Sequence, residues 1–161
     1  MAKTFQDRCR NIATKIIKKS FPELKNKKIL IFATHFRKAY SGMALWGIWP
    51  FPDLILINRK KSNEPDKYLR GLLAHELSHI ALRVKRGFIK SAVRGLFYWI
   101  IPKLRRAEED EVNKIAMQKG YVKEIYFITQ KSEKRKRASG IQRHYMSSQE
   151  VKNYAKSIGK W

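Results

Sequence analysis

Apolar residues Phe5, Cys9, Ile12 and Ile16 recur every three or four positions, which predicts an amphipathic helix over residues 4–19 with a basic outer face. Phe21-Pro22 ends it, because the residue before a proline is pushed out of the helical region. The period then changes. Lys28–Thr34, Met43–Trp49 and Asp53–Asn58 are short runs of strand formers, separated by Ser41-Gly42 and Pro50-Phe51-Pro52 turn signals, and predict three strands. Ser62-Asn63-Glu64-Pro65-Asp66 reads as a helix start, with a capping residue, first-turn acids and an early proline. That helix runs through Tyr68, Leu69, Leu72, Leu73 and Leu77 to about Val84 or Arg86, where Gly87 fits its end. Residues 88–101 are apolar with Lys90 and Arg94 among them, and a second strong helix over about 103–119 stops at Gly120. Val122–Thr129 fits strand or helix. Lys131–Arg137 is a charge run that predicts a basic loop over 131–139, and Ser147-x-x-Glu150 is a capping box opening a last helix over about 148–158. The order of helix, strands and then helices predicts an α+β fold rather than alternating α/β. With 161 residues, 43% of them hydrophobic, the chain is expected to form one domain over 1–161, its core at about 28–120.

Chemistry enters inside the second helix. His75-Glu76-Leu77-Ser78-His79 reads H-E-x-x-H, and residues four apart on a helix share a face, so both imidazoles can point at one metal ion while Glu76 reaches a water beside it. A catalytic zinc takes three protein ligands and keeps one position open. The third is sought on the 103–119 helix, where Glu108, Glu109, Asp110 and Glu111 follow one another. Glu109 shares its face with Val112, Asn113 and Ala116 at i+3, i+4 and i+7, so it is the first choice. Glu108, on a stripe with Val112 and Ile115, is the second choice; Asp110 and Glu111 are expected to face solvent or to support the ligands from behind. Asn113 can hold a ligating imidazole by its other ring nitrogen.

Charge changes the picture in a different way. Thirty-six Lys and Arg against thirteen Asp and Glu give a net charge of +23, which implies attraction to an anionic partner, lipid or nucleic acid, or simply a solvated basic surface. Cys9 is the single cysteine, so no internal disulfide is possible and a reducing compartment is compatible. No signal peptide and no stretch long enough to span a bilayer is visible; Gly95–Ile101 is stopped by Pro102. A cytoplasmic protein, at most peripheral to a membrane, is expected.

The H-E-x-x-H helix followed by Glu109-x-x-Val112-Asn113-x-x-Ala116 resembles the gluzincin metallopeptidases, whose glutamate helix reads E-x-x-A-D/N-x-x-A. The small size and the preceding strands look most like the soluble minigluzincins, which are similar to the catalytic domains of the CAAX-type and HtpX-type proteases. Over about residues 28–120, the resemblance implies a zincin-like fold: a small mixed sheet of about three strands, an active-site helix and a glutamate helix. It implies one zinc ion held by His75, His79 and Glu109, with Glu76 as general base in the hydrolysis of peptide bonds. It also implies an edge strand, here Ala44–Trp49, that pairs with an extended peptide. Val112 and Asn113 depart from the commoner Ala and Asp; Asn113 still accepts a hydrogen bond but brings no charge to the imidazole it would hold.

Other expectations rest on less. Trp46 and Trp49 read as packing or as subsite walls, His144 and Tyr145 as candidate oxyanion donors, and His35 as a structural residue at a strand end. Phe88–Leu104 sits where the membrane-bound relatives carry spanning helices, and its aromatic and aliphatic residues with Lys85, Arg86, Lys90, Arg94 and Lys103 suit a helix lying at a membrane surface or one packed over the metal helix. The segment beyond the basic loop is expected, by analogy, to cover the cleft. The alternative function is a DNA-associated protein with a metalloprotease-like fold, as in the SprT-like and IrrE-like proteins; neither a helix-turn-helix pattern nor a C-x-x-C module supports it.

Overall fold

The computed structural model describes residues 4–36, 40–45, 47, 51–87, 90–92, 97, 100–137 and 146–161, with side chains to residue 134 in the helix that ends at Arg137. Helix α1 (Phe5–Ser20) opens on a capping box in which Thr4 and Asp7 satisfy each other's backbone N–H groups. It buries Cys9, Ala13 and Ile16, with Phe5 and Ile12 packed at the margin of the core. Three strands follow: β1 (Ile29–Thr34), β2 (Gly42–Leu45) and β3 (Asp53–Asn58). Their order is β1-β3-β2, with β1 parallel and β2 antiparallel to the central β3. The alternating pattern in β3 puts Asp53, Ile55 and Ile57 inside.

Helix α2 (Asp66–Arg86) is the axis of the molecule. It is buried on nearly every side from Tyr68 to Leu82, as a helix at the centre of a domain must be. Gly71 lets the chain approach closely there: a Cβ at that position would come within 2.7 Å of the Glu124 carbonyl oxygen. Pro65, not Ser62, stands at the N-cap, and no side chain caps the helix. Asp66 instead receives the Arg8 guanidinium at 2.6 Å, which ties α1 to α2. The helix ends at Gly87, whose φ of 78° carries the chain away.

Helix α3 (Pro102–Gln118) starts with proline in its first turn and stops before Gly120 at φ 99°. Helix α4 (Val122–Arg137) resolves the ambiguous segment as helix and corrects the expected basic loop over 131–139 for residues 131–137; 138 and 139 lie outside the described residues. Lys and Arg are good helix formers, and a charge run is compatible with a helix once its neighbours anchor it. Lys131 pairs with Glu64 and lies 5.4 Å from the Tyr68 ring centroid, and Glu133 accepts from the Ser148 N–H at 2.9 Å. Helix α5 (Ser148–Ser157) begins with the expected capping box at Ser147 and Glu150. Met146, Val151 and Ala155 belong to the central core, so the described part of the C-terminal segment is structural.

The mixed α+β architecture with its three-stranded sheet agrees with the sequence reading. None of the described helices is long and apolar enough to cross a membrane. Residues 88–89, 93–96 and 98–99 of Phe88–Leu104 lie outside the described residues, and Arg86 turns inward to Glu108 and Glu111 rather than outward to a surface. Ile100, 72% exposed, faces out.

Candidate metal centre

Helix α2 presents His75, Glu76 and His79 on the side that faces α3 and the sheet edge. Helix α3 brings Glu109 opposite them. The donor atoms of His75, His79 and Glu109 all lie within 4.8 Å of one another, a group that can hold a metal ion. Glu109 Oε2 stands 3.2 Å from His75 Nε2 and 3.7 Å from His79 Nε2. The two rings meet edge to face with centroids 5.0 Å apart, so both nitrogens converge without stacking. Glu109 is 3% exposed and His75 9%, which makes the cluster an internal feature rather than an acidic surface.

Asn113 lies one turn beyond Glu109, and its Oδ1 is 2.9 Å from His75 Nδ1. A carboxamide oxygen only accepts, so Nδ1 carries a proton and donates, which leaves Nε2 as the ring nitrogen that faces the cluster. The other acids of the run go elsewhere. Glu108 and Glu111 both bind Arg86, and Asp110 turns to Arg106 at 3.8 Å. Arg86 thus selects Glu109 from its neighbours by engaging the carboxylates on either side.

The electrostatics follow from this packing. Burial acts to lower the His75 pKa, but the hydrogen bond and charge of Glu109, helped by Glu76 and Asn113, outweigh it and raise the value to about 9. Burial acts to raise Glu109, and the hydrogen bonds from His75 and His79 outweigh it and hold its carboxyl well below the usual range. Glu76 is pushed up, chiefly by burial.

Glu76 has a neighbour that the sequence did not disclose. Gly42 opens β2, and a Cβ there would sit 2.7 Å from Glu76 Oε1 and 3.2 Å from Leu72 Cδ1. The Ala44 N–H donates to the Glu76 carboxylate. Ser41 accepts from the Asn58 N–H at 3.0 Å, so alternation turns the main-chain groups of Gly42 and Ala44 away from β3, toward the open edge of the sheet. β2 therefore lies at the sheet edge with Glu76 beside it; of the expected edge strand Ala44–Trp49 it contains Ala44 and Leu45, and residues 46 and 48–49 lie outside the described residues. A glycine beside a strand-forming run is the available signal, since it often marks a close approach; its sequence context, Ser41-Gly42, reads equally as a turn. Asp53 and Arg83 were also missed. Asp53 accepts from Arg83 and, at 3.0 Å, from the Gly47 N–H, and so fastens the β2–β3 connection to α2 one turn beyond His79.

His35 is exposed just past β1. Trp46, Trp49, His144 and Tyr145 lie outside the described residues. Comparisons with models of protein families, with curated proteins and with solved structures give no match to this chain.

Proposed function

We infer that the protein is a zinc-dependent metalloendopeptidase of a zincin-like, minigluzincin type. The observation that carries this reading is the convergence of His75, His79 and Glu109, together with a second buried acid, Glu76, at the open edge of the sheet. Two imidazoles and one carboxylate form the donor set that catalytic zinc takes, and Asn113 supplies the supporting hydrogen bond that ligating histidines need. A purely structural metal site would have no use for Glu76.

Zinc, when bound, supplies Lewis acidity toward a water and toward the scissile carbonyl. The residues do the rest. Glu76, its pKa raised by burial, is suited to accept a proton from water and hold it until the leaving amine takes it. The Ala44 N–H fixes one side of that carboxylate, and Gly42 leaves room for it. An extended peptide adding to the edge of β2 is bound by the main-chain groups there other than the Ala44 N–H, so recognition tolerates varied sequence. Glu109 keeps its charge because its pKa is depressed, and Asn113 holds His75 in the tautomer that frees Nε2.

The test is the substitution Glu76→Gln, assayed by metal content and by casein cleavage. Equal zinc in both proteins, with cleavage lost at least a hundredfold in the variant, is the expected result; a general base contributes about that much or more. Zinc absent from both proteins overturns the metal reading, and cleavage persisting in the variant overturns the role of Glu76.

A further inference from the structure

The side of α2 that faces away from the metal cluster carries a second concavity. It is a cleft of about 330 Å³ between α1, the first turns of α2 and the turn joining α3 to α4. At about 100° per residue, Asp66 and Arg70 point roughly 140–180° away from His75 and His79, so the cleft shares the helix with the metal centre but not its face.

Four cations from three directions line it: Lys15 and Lys19 of α1, Arg70 of α2 and Lys119 from the turn. Two acids, Asp66 and Glu124, line it as well, and both are committed: Asp66 binds Arg8 at 2.6 Å and Glu124 braces Arg70 at 3.4 Å, while Glu23, outside the lining, braces Lys119 at 2.8 Å. Lys15 and Lys19 make no ion pair among the described residues. They stand one helical turn apart, an arrangement of like charges that destabilises a helix unless something anionic lies between them. Ser20 Oγ and Tyr121 Oη, 3.2 Å from each other, add hydroxyl donors at the same wall, and Ile12 and Ile16 give it an apolar part.

We propose that this cleft binds a small phosphate-bearing ligand, with Lys15 and Lys19 as its primary contacts and Arg70 and Lys119 held ready by Glu124 and Glu23. Cations converging from α1, α2 and the turn suit a tetrahedral oxyanion better than a planar carboxylate, which one forked guanidinium would satisfy. The volume is at the small end of ligand pockets, room for a phosphate with a compact attached group. A free phosphate compound and a phospholipid headgroup share this chemistry.

The test uses the full chain, with inorganic pyrophosphate titrated by calorimetry into wild type, the double variant Lys15→Gln/Lys19→Gln, and the control Lys25→Gln/Lys27→Gln. The control removes the same charge from exposed lysines outside the cleft. All four lysines are exposed, so circular dichroism is expected to be unchanged in both variants. Pyrophosphate affinity is expected to fall at least tenfold in the cleft variant and less than twofold in the control. A parallel flotation arm with phosphatidic acid in phosphatidylcholine vesicles separates the two sources: a Lys15/Lys19-dependent gain over pyrophosphate assigns a lipid headgroup, and its absence a soluble ligand. Equal losses of pyrophosphate affinity in both variants reduce the effect to overall surface charge and overturn the proposal, as does a wild type that binds no pyrophosphate at millimolar concentration.

Discussion

Replacing Asn113 by alanine isolates the support behind the metal ligands. The side chain is 4% exposed, and its one hydrogen bond at the site, 2.9 Å to His75 Nδ1, is formed with a buried imidazole. Asn113→Ala leaves that N–H without a partner, a loss of about 1–3 kcal/mol. The bond is present before metal arrives, so part of the loss falls on the metal-free fold: for a chain of this length, each kcal/mol lowers the Tm by about 2–4 °C. The remainder appears in affinity, because an unheld ring can turn its Nε2 away from Glu109. Partners of ligating histidines are typically worth about 10–100-fold in metal binding. Competition against a chromophoric chelator is therefore expected to show zinc bound about 10–100-fold more weakly, with a Tm lowered in the apo-protein. Asn113→Asp keeps the acceptor, adds a charge, and is expected to bind at least as tightly as wild type. An alanine variant within twofold of wild type at an unchanged Tm, or an aspartate variant as damaged as the alanine, refutes the reasoning.

Gly42→Ala is expected to move the Glu76 carboxylate off the Ala44 N–H while leaving zinc content unchanged, since the added Cβ overlaps Glu76 Oε1 and touches no ligand; a backbone amide spectrum in which Ala44 does not shift counts against this. The metal-free protein is expected to lose stability as pH rises from 6.5 through about 9, because the folded state holds the His75 proton more tightly than the unfolded chain does. A Tm that is flat or rising over that window after chelation contradicts it. Val151 is fully buried, so Val151→Asp is expected to cost several kcal/mol and to unfold the domain rather than merely uncover the metal centre, read by thermal melting.

The candidate metal site was legible because its information is periodic. His75 and His79 share a face by spacing alone, and Glu109 could be chosen among adjacent acids because Val112, Asn113 and Ala116 mark the inner side of α3. Tertiary contacts were not legible. The 131–137 stretch has helix-forming residues but no apolar period, and what holds its start is Glu64 and the Tyr68 ring, far away in sequence. Val122–Thr129 mixes β-branched and aromatic residues that suit either structure, and Gly71 decides by letting α4 lie against α2. Gly42 was legible as a glycine and illegible as a contact, because nothing local says that Glu76 will come to it. The start of α2 was misplaced for a related reason: Asp66 serves Arg8 across the chain instead of serving its own helix end.

The burial of α2 has a consequence for what a metal measurement on this protein means. The backbone that carries His75 and His79 is the same backbone around which α1, α3, α4 and the sheet are assembled. Such a segment opens only when the whole domain opens, so the ligands have no local route to disorder. Any ion that binds the folded centre and not the open chain stabilises the entire fold, by an amount set by its concentration over its dissociation constant. If the proposed metal binds, its occupancy is thus a thermometer for global unfolding, and a core substitution remote from His75, His79 and Glu109 would change apparent metal affinity through the fraction of chain that is folded.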